Sequence, residues 1–432
     1  MTSGNIRFTN ESMQDKYLLA ALPFNHTPPS VMHIDFNSCF AGIEQQANPL
    51  LRGKPVAVAA YTTPSGCIIA PSVEAKKLGI KVGMRVKDGK LLYKDLIVLP
   101  PDPWKYRNVH IKLRRILSDY TSDLTPKSID EFVLNIGLRK TSMRSLAQDI
   151  KKRIREEVGD WLTVSVGIAP NRFLAKLASS FHKPDGLDEI YAGNYLNCYR
   201  KLMLTDLPYI KVRNALRLGS VGINSVLDFY RAPLWKLKAA FASINSYYWY
   251  LRLRGYEIDD VSFARRSYGN SYALPKPYSE IRDLSPIISK LTEKMGFRLR
   301  HAGYMAKGIY LAVGYRNGFF WHKGMTFEKE FFESGEIYRK VLRILYLAPY
   351  KYPVRDIFVS VFNLKKIASL QLDFFNDVER KMRLSEGVDR INERWGNFII
   401  APARMFLGEK EMVPDRIAFG GVKELEEFTI AP

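Results

Sequence analysis

The sequence predicts an α+β fold over most of its length. Three observations lead to this prediction: the size and composition of the chain, strand-like runs that alternate with amphipathic helical stretches from residue 31 to about 181, and a second block of the same kind at 266–366. The chain has 432 residues, of which 47% are hydrophobic and 25% charged. These values are ordinary for a globular protein and allow two to four domains.

The first block contains predicted strands and helices in alternation. The runs VMHID, PVAVAA, FVLNI and LTVSVGI are short and apolar, which indicates strands. Amphipathic spacing predicts the helices between them, and such alternation is typical of an α/β or α+β domain. These helices span residues 72–79, 105–121, 142–158 and 171–181.

The rest of the chain divides into a helical stretch and a second mixed module. Residues 194–263 have no convincing strand alternation and predict short helices, and RLRGYEIDDVSFARRS then predicts a linker. The following module is predicted as strand, helix, two strands, helix and strand. Its helices are expected at about 279–303 and at 334–347, and its later strands are GIYLAVGY, a run near FFWHKGMTF, and DIFVSVFNL.

The charge of the chain is far from neutral. A net charge of +21 indicates a polyanionic partner, either nucleic acid or an acidic membrane surface. Residues 264–366 hold 19 Lys/Arg and 8 Asp/Glu, so their net charge of +11 is about half of the excess. A solvated basic surface is the simpler interpretation, but the localisation on one module favours a phosphate-binding face.

Composition also bears on the compartment. No run of about 18 apolar residues suggests a membrane span, and the N-terminus does not have the pattern of a signal peptide. Cys39, Cys67 and Cys198 are scattered and fit neither a disulfide framework nor a zinc site. We therefore expect a cytoplasmic protein that is not bound to a membrane.

Three acidic residues lie at the ends of predicted strands. Asp35 closes VMHID, where it could cap the next helix or bind a metal. Asp130 and Glu131 precede a second strand, where they could be turn residues. With a basic chain another interpretation gains weight, because phosphoryl transfer commonly uses two divalent ions about 3.5–4 Å apart. Hard oxygen ligands from two neighbouring strands would be sufficient for such ions.

Four blocks of sequence resemble the Y-family, or translesion, DNA polymerases. They are DFNSCFAGIE, GCIIAPSVEAKKLGIKVGM, SIDEFVLNI and SVGIAPNRFLAKLASSFHKPDG, in the family's order and approximate spacing. The second block looks closer to the UmuC branch than to the DinB branch, and the resemblance covers roughly residues 31–430. It implies a right-hand polymerase with an N-terminal extension (1–29), palm and fingers (30–193), thumb (194–263), little finger (264–366) and a C-terminal tail (367–432).

The resemblance assigns roles to the acidic residues. Asp35 and Asp130 would bind two Mg²⁺ ions, with Mn²⁺ as an alternative, and Glu131 would help to hold the ion at the primer 3′-hydroxyl. The carbonyl of Phe36 would complete the nucleotide-bound ion. The reaction implied is the in-line attack of that hydroxyl on the α-phosphate of a dNTP, which releases pyrophosphate.

The resemblance also implies a nucleotide pocket. Phe40 stands at the steric-gate position, with an ordinary core aromatic as the alternative. Lys76 and Lys183 would contact the triphosphate, although either could be an exposed surface lysine. Arg172 is a further phosphate candidate or a structural residue.

Several positions depart from relatives or set the size of the pocket. Val73 and Ala70 replace a tyrosine and a threonine found near the triphosphate in some members. Ser38 and Cys39 are small residues under the nascent base pair, which predicts a roomy pocket.

DNA contacts are expected from the thumb and the little finger. In LPYIKVRNALRLGSVGI, Tyr209 and Lys211 stand at the glycine positions of the family's helix-hairpin-helix. Either Lys211 contacts phosphate through its side chain or the segment simply packs. The little-finger residues expected to bind the DNA backbone, with a strong dependence on salt, are Arg265, Arg266, Lys307, Arg316 and Lys323.

The tail carries a short motif. Gln371, Leu372, Asp373, Phe374 and Phe375 resemble the pentapeptide that binds the bacterial sliding clamp, with a buried strand as the alternative. The remaining tail resembles UmuC-type C-termini, which implies a possible accessory subunit of the UmuD type.

The function expected is template-directed translesion DNA synthesis from primer-template DNA and dNTPs, in DNA damage tolerance. We expect low processivity and no proofreading. The alternative is a catalytically inactive scaffold of the same fold that binds DNA and the clamp. A basic membrane-surface protein is disfavoured because no cationic amphipathic helix with a wide apolar face is evident.

Overall fold

The computed structural model describes residues 22–137, 141–261, 265–349, 352–367, 378–396 and 398–407. The chain divides into two compact units, and the division lies between Val261 and Ser262. Among the described helices, none has the combination of length and apolar character needed to cross a bilayer.

A five-stranded sheet is the centre of the first unit. Its strand order is β5-β6-β1-β7-β8, so β1 is the central strand, and it pairs antiparallel with both β6 and β7. β5 pairs antiparallel with β6, and β8 runs parallel to β7. The bounds are β1 Val31–Phe36, β5 Leu124–Pro126, β6 Glu131–Asn135, β7 Val164–Ala169 and β8 Leu187–Glu189.

Alternation along β1 gives the sheet two different faces. Met32, Ile34 and Phe36 join a buried apolar cluster with residues of the helices Pro103–Ser118 and Met143–Arg153. Val31 joins a second cluster on the opposite face. His33 and Asp35 alternate with the first set and therefore share that opposite face.

The helix Arg172–Ala178 packs directly on this opposite face. A Cβ atom at Gly167 of β7 would lie 2.0 Å from the carbonyl oxygen of Ala175 and 2.3 Å from the backbone nitrogen of Ser179. No side chain fits in that space, so glycine at this position permits the close approach of helix to strand.

A smaller sheet of order β3-β2-β4 has its own apolar cluster. Its strands are β2 Val56–Ala59, β3 Ile68–Pro71 and β4 Ile97–Leu99.

In chain order the helices of the first unit are α1 Cys39–Ala47, α2 Val73–Lys77, α3 Val86–Leu92, α4 Pro103–Ser118, α5 Met143–Arg153, α6 Arg172–Ala178, α7 Tyr195–Arg200, α8 Val212–Gly219, α9 Val226–Arg231, α10 Leu234–Phe241 and α11 Asn245–Arg252.

The second unit is a four-stranded antiparallel sheet with helices on one face. The strand order is β11-β10-β12-β9, and Ile309, Leu311 and Val359 are buried beneath the helices α12 and α13. The bounds are β9 Ser267–Tyr278, α12 Ile281–His301, β10 Tyr304–Tyr315, β11 Phe320–Phe331, α13 Ser334–Leu345, β12 Val354–Lys366 and α14 Val378–Trp395.

The helix α14 falls in the stretch that was expected to be a tail. It has no buried residue, and it attaches to α12 through a two-bond ion pair between Arg300 and Asp389, with both N···O distances at 2.7 Å. Arg300 also donates to the carbonyl of Phe332 and the hydroxyl of Ser334. Polar contacts therefore fix this helix.

Two element predictions need correction. The helix expected at 142–158 is α-helical only to Arg153 and continues as a π turn over Ile154–Val158. The helix expected at 72–79 is the shorter α2, which Ser72 caps and which ends before Gly79 at a φ of +84°. The expectation of short helices between 194 and 263 agrees with α7 to α11.

Candidate active site

Asp35 and Glu131 face each other across two paired strands. They are partners in the antiparallel register of β1 and β6, so their side chains share one face of the sheet. Asp35 lies inside β1, and the residue that precedes α1 is Ser38, in the left-handed conformation at φ 52°. Asp35 is therefore not the helix cap that its sequence position also allowed.

Asp130 joins the same group from the start of β6. Its carbonyl accepts a hydrogen bond from the backbone N–H of Phe36 at 3.0 Å, which ties it to the end of β1. Its carboxylate accepts a hydrogen bond from the hydroxyl of Ser128. Three carboxylates thus converge from two neighbouring strands.

Two lysines pair with these carboxylates. Lys183 Nζ lies 2.6 Å from Asp35 Oδ1, and Lys176 Nζ lies 2.5 Å from Glu131 Oε2. Sequence reasoning found Lys183 but missed Lys176, although Lys176 stands one helical turn after Arg172 in the block NRFLAK. Burial alone would lower the pKa of Lys176, but Glu131 outweighs it and the pKa is raised.

Burial raises the pKa of Asp35 to about 6; Lys183 opposes this shift, while Glu131 and Asp130 add to it. Burial also raises the pKa of Asp130. Burial and neighbouring negative charges both disfavour the ionised form of a carboxyl group, so a nearby cation is needed to stabilise it. Groups of carboxylates with raised pKa values are characteristic of functional sites.

His33 lies beside the carboxylates and was not singled out in the sequence. It is 1% exposed, and neither ring nitrogen has a hydrogen-bond partner among the described residues. Burial holds its pKa well below the usual value, so the ring is neutral. Ligand atoms of His33, Asp35 and Glu131 all lie within 4.8 Å of one another.

The donor set fits a hard divalent cation. The carboxylates supply the oxygen ligands that Mg²⁺ prefers, and the neutral imidazole of His33 offers a nitrogen of the kind that transition metals such as Mn²⁺ also accept. The residues present therefore fit the metal ions that the sequence resemblance implies.

The predicted nucleotide residues gather around one cleft of about 460 Å³. Glu131 instead lines a neighbouring cleft of about 470 Å³ with His33 and Lys176. Ala70, Val73 and Ser38 also line the first cleft, and the buried hydroxyl of Ser38 has no hydrogen-bond partner among the described residues. The predicted residues in the first cleft are Asp35, Phe36, Phe40, Lys76, Asp130 and Lys183.

Phe40 lines this cleft and is also part of the core. It is 1% exposed, and its ring stacks on Tyr106 with centroids 4.2 Å apart and planes 6° from parallel. The Tyr106 hydroxyl donates to Glu44 at 2.9 Å, and Lys105 pairs with the other oxygen of Glu44 at 2.6 Å. The Phe40 ring is therefore held rigidly.

The remaining cations of the first unit differ in setting. Burial and the nearby Lys183 lower the pKa of Lys76, as expected for a lysine inside a positive cleft. Arg172 is 6% exposed and pairs with Asp260 at 2.5 Å, while its backbone N–H donates to Glu257 at 2.9 Å. These contacts favour the structural alternative for Arg172.

The hairpin before α8 keeps a left-handed residue without glycine. Tyr209 has a φ of 69° and is 63% exposed, and Lys176 Nζ lies 6.0 Å from the centre of its ring. Lys211 is exposed and extended at φ −112°. Both alternatives for Lys211, a phosphate contact or simple packing, stay predictions.

The predicted DNA-binding cations of the second unit lie in different settings. The guanidinium of Arg265 lies 4.2 Å from the ring of Tyr268, and Lys323 pairs in register with the core residue Leu311, on the helix side of the sheet. Arg266 and Arg316 are exposed, and Lys307 is half-buried. The clamp-like motif, with Gln371, Leu372, Phe374 and Phe375, lies outside the described residues.

Sequence comparison places this geometry among known proteins. The impB/mucB/samB family matches residues 34–180, and the C-terminal domain of that family matches residues 265–374. The chain is 32% identical to DNA polymerase IV of Pelotomaculum thermopropionicum, with 86% of this chain and 94% of that protein covered. It is 30% identical to DNA polymerase IV of Moorella thermoacetica, with 88% and 96% covered.

Solved structures give the same answer. A Y-family DNA polymerase chimera of Dbh and Dpo4 matches with a TM-score of 0.68 at 25% identity, covering 77% of this chain and 98% of that one. The insertion ternary complex of Dbh DNA polymerase matches with a TM-score of 0.55 at 25% identity over the same shares. The prediction of an α+β polymerase fold is confirmed.

Proposed function

The chain belongs to the impB/mucB/samB family and is a DNA-directed DNA polymerase of the Y family, and from this premise we propose that it extends primers past damaged template bases by two-metal phosphoryl transfer. The observation that supports this proposal is that Asp35 and Asp130 line one cleft with Lys76 and Lys183, while Glu131 faces Asp35 across the paired strands from a neighbouring cleft. Primer-template DNA and dNTPs are the proposed substrates.

The carboxylates are the proposed metal-binding groups. Asp35 and Asp130 would hold two Mg²⁺ ions, with Mn²⁺ as an alternative. Glu131 would take part at the primer side and the carbonyl of Phe36 at the nucleotide side. Bound divalent ions supply a lowered pKa for the 3′-hydroxyl and compensation of negative charge on the phosphates.

The protein's own residues would bind and orient the nucleotide. Lys183 and Lys76 bring two ammonium groups into the cleft, where they would attract a triphosphate. Lys183 Nζ lies 2.6 Å from Asp35 Oδ1, so the Lys183 ammonium group could contact both this carboxylate and a phosphate of the incoming nucleotide. Phe40 would press against the sugar and exclude a 2′-hydroxyl.

Wider parts of the proposal follow from the resemblance. The first unit would form the palm and fingers (30–193) and the thumb (194–263), and residues 264–366 would be the little finger that grips the DNA backbone. The clamp contact, a UmuD-type subunit, a cytoplasmic location and a role in damage tolerance also stay proposals. The assignment to the UmuC branch also stays a proposal. The relatives reported above carry a different name, DNA polymerase IV.

The decisive experiment is primer extension on undamaged and lesion-containing templates by wild type and Asp130→Ala. We expect the variant to lose about a thousandfold or more in extension rate, because charge compensation in the transition state is worth several kcal/mol. Its affinity for primer-template DNA should change little.

A matched control is Asp123→Ala, since Asp123 lies just before β5, is exposed and is outside the carboxylate group. Extension by Asp130→Ala at the wild-type rate would refute the catalytic assignment. Extension of undamaged templates alone would refute the translesion proposal. The scaffold alternative predicts DNA binding without extension in the wild type, and the presence of all three carboxylates does not favour it.

A further inference from the structure

The segment HKPDG, residues 182–186, lies between α6 and β8 and carries Lys183; we call it the lysine loop. Lys183 Nζ lies 2.6 Å from Asp35 Oδ1, and the residue lines the cleft that holds the predicted nucleotide residues. Because a lysine side chain is long and flexible, the reach of its ammonium group is set by the backbone that carries it. The contacts of the lysine loop therefore determine where Lys183 acts.

Asn37 contacts the lysine loop from the turn between β1 and α1. Its Oδ1 accepts a hydrogen bond from the backbone N–H of Asp185 at 2.8 Å and another from the hydroxyl of Thr163 at 3.1 Å. Its Nδ2 donates to Ser165 Oγ at 2.9 Å. Asn37 is 9% exposed, so loss of its side chain would leave buried polar groups unsatisfied, which is costly.

Ser165 of β7 extends this contact to the next residue of the lysine loop. Its Oγ accepts a hydrogen bond from the backbone N–H of Gly186 at 3.3 Å. The N–H groups of two successive loop residues are thus held by one amide and one hydroxyl. The loop is also compact, since a Cβ atom at Gly186 would lie 2.4 Å from the carbonyl oxygen of His182.

Two cations hold the same loop from elsewhere. Lys151 of α5 donates to the carbonyl of Asp185 at 2.5 Å and pairs with its carboxylate at 3.0 Å, and Arg155 pairs with that carboxylate as well. Neither cation lines the cleft, whereas Asn37 does. Asn37 therefore joins the lysine loop to the wall of the cleft.

The backbone of Asn37 is fixed independently of its side chain. Its N–H donates to the carbonyl of Thr163 at 3.0 Å, and the N–H of Phe36 donates to the carbonyl of Asp130 at 3.0 Å. Both bonds persist whatever side chain stands at position 37. A substitution there should therefore release the lysine loop and leave the end of β1, with Asp35, in place.

We propose that Asn37 is a positioning residue that fixes the lysine loop against the end of β1, so that the Lys183 ammonium group stays within reach of the triphosphate of an incoming dNTP. Asn37 acts through Lys183 and needs no contact of its own with the phosphates. The inference rests on the proposed role of Lys183 in nucleotide binding. It predicts that the side chain of Asn37 affects the KM for dNTP more than kcat.

The test is single-nucleotide primer extension by the full chain, with KM for dNTP and kcat measured separately. For Asn37→Ala we expect KM to rise about tenfold, since a hydrogen bond to a charged group is worth about that factor. The kcat should fall by less than about threefold, because the change removes binding more than catalysis. Asn37→Asp should restore most of the wild-type KM, since its carboxylate can accept from the Asp185 N–H and from the hydroxyls of Thr163 and Ser165.

Gln45→Ala is the matched control. Gln45 is another buried amide, 2% exposed, and it donates to the carbonyls of Leu51 at 3.2 Å and Lys54 at 3.1 Å, but it does not line the cleft. Its loss should lower the unfolding temperature as the loss of Asn37 does, and it should leave the KM for dNTP unchanged. Hydrogen exchange over residues 182–186 should become faster in Asn37→Ala and not in Gln45→Ala.

Lys183→Ala separates this inference from the proposed role of Lys183. It should raise KM by itself, and adding Asn37→Ala should raise KM no further, because both changes remove the same phosphate contact. An unchanged KM in Lys183→Ala would refute the nucleotide-binding role of Lys183 and with it the route through Asn37. A raised KM in Lys183→Ala beside a normal KM in Asn37→Ala would refute the positioning role alone. Additive losses in the double variant would show that Asn37 does not act through Lys183.

Discussion

The two principal sheets of the protein each use one face in opposite ways: in the five-stranded sheet it is the face that α6 partly covers, and in the four-stranded sheet it is the face opposite α12 and α13. The five-stranded sheet places carboxylates there, and Asp35 and Glu131 are only 14% and 22% exposed. The four-stranded sheet places aromatic rings there, and Phe320 is 55% exposed. One surface confines charge and the other exposes aromatic rings.

The difference follows from what each arrangement costs. Partly buried charges lose hydration, so each carboxylate needs a partner such as Lys183 or Lys176. Exposed rings lose little when they are left open, because apolar atoms are common on protein surfaces. The five-stranded sheet therefore concentrates charge on a few atoms, and the four-stranded sheet exposes apolar area.

The sharpest way to test this contrast is to remove the rigid ring in the first cleft. Phe40→Ala should raise the rate of ribonucleotide incorporation relative to dNTP incorporation by about a hundredfold, because removal of a steric clash worth a few kcal/mol has that effect. Competitive single-nucleotide extension with rNTP and dNTP measures it. Tyr106→Phe, which loses only the hydrogen bond to Glu44, should show a much smaller change. Unaltered sugar selection in Phe40→Ala would show that the ring serves only the core.

The partly buried ion pair between Arg300 and Asp389 in the second unit provides a second test. Asp389→Ala leaves Arg300 without its partner, so we expect the unit to lose about 3 kcal/mol of stability. Denaturant unfolding measures the change. Replacing Arg300 by Met in the same protein should recover much of the loss. Binding of primer-template DNA should not change under native conditions; a loss would link this ion pair to DNA binding.

Metal binding gives a third test, in which only substitutions among the carboxylates should reduce the stabilisation by Mg²⁺. At a Mg²⁺ concentration about one hundred times its dissociation constant, wild type should gain about 2.7 kcal/mol in stability. Asp35→Asn should gain much less, and Phe358→Ala should gain as much as wild type. Thermal unfolding with and without Mg²⁺ measures this. Equal stabilisation of Asp35→Asn would place the metal site elsewhere.

The smallest expected effect concerns Tyr209. Tyr209→Gly should relieve about 1–2 kcal/mol of left-handed strain and cost about 0.5–1 kcal/mol in unfolded-state entropy, so stability should rise by roughly 0.5 kcal/mol. Tyr209→Ala keeps the strain and loses the ring, so it should be less stable than wild type. Equilibrium unfolding distinguishes them. A destabilised glycine variant would show that the contact with Lys176 outweighs the strain.

The sequence was sufficient to locate the acidic strand ends, because Asp35 closes one short apolar run while Asp130 and Glu131 open another. It could not decide whether Asp35 was a cap. Ser38 starts α1 from a left-handed conformation, which nothing in its residue type requires. Lys176 was missed because its position beside Glu131 depends on the packing of α6 against β7 and β1, which the local sequence pattern does not encode.

The second unit shows the same limit. Its strands and helices were predicted from alternation, but which side chains share a face depends on strand register: Phe320 and Phe358 lie far apart in sequence and share one face only because β11 and β12 both pair with β10. The helix α14 was not predicted, although its sequence is amphipathic, because the stretch after the predicted little finger was interpreted as a tail. Its attachment through Arg300 and Asp389 depends on the fold and is not visible in the local sequence.

Gly167 has no side chain but still affects the electrostatics of the carboxylate site. It sets how closely α6 rests on β7, and α6 carries Lys176 to Glu131. Any larger residue there would change a distance between two charges while touching neither of them. Mutational scans of this protein should therefore find an intolerant position that belongs to no reactive group, because it acts as a spacer.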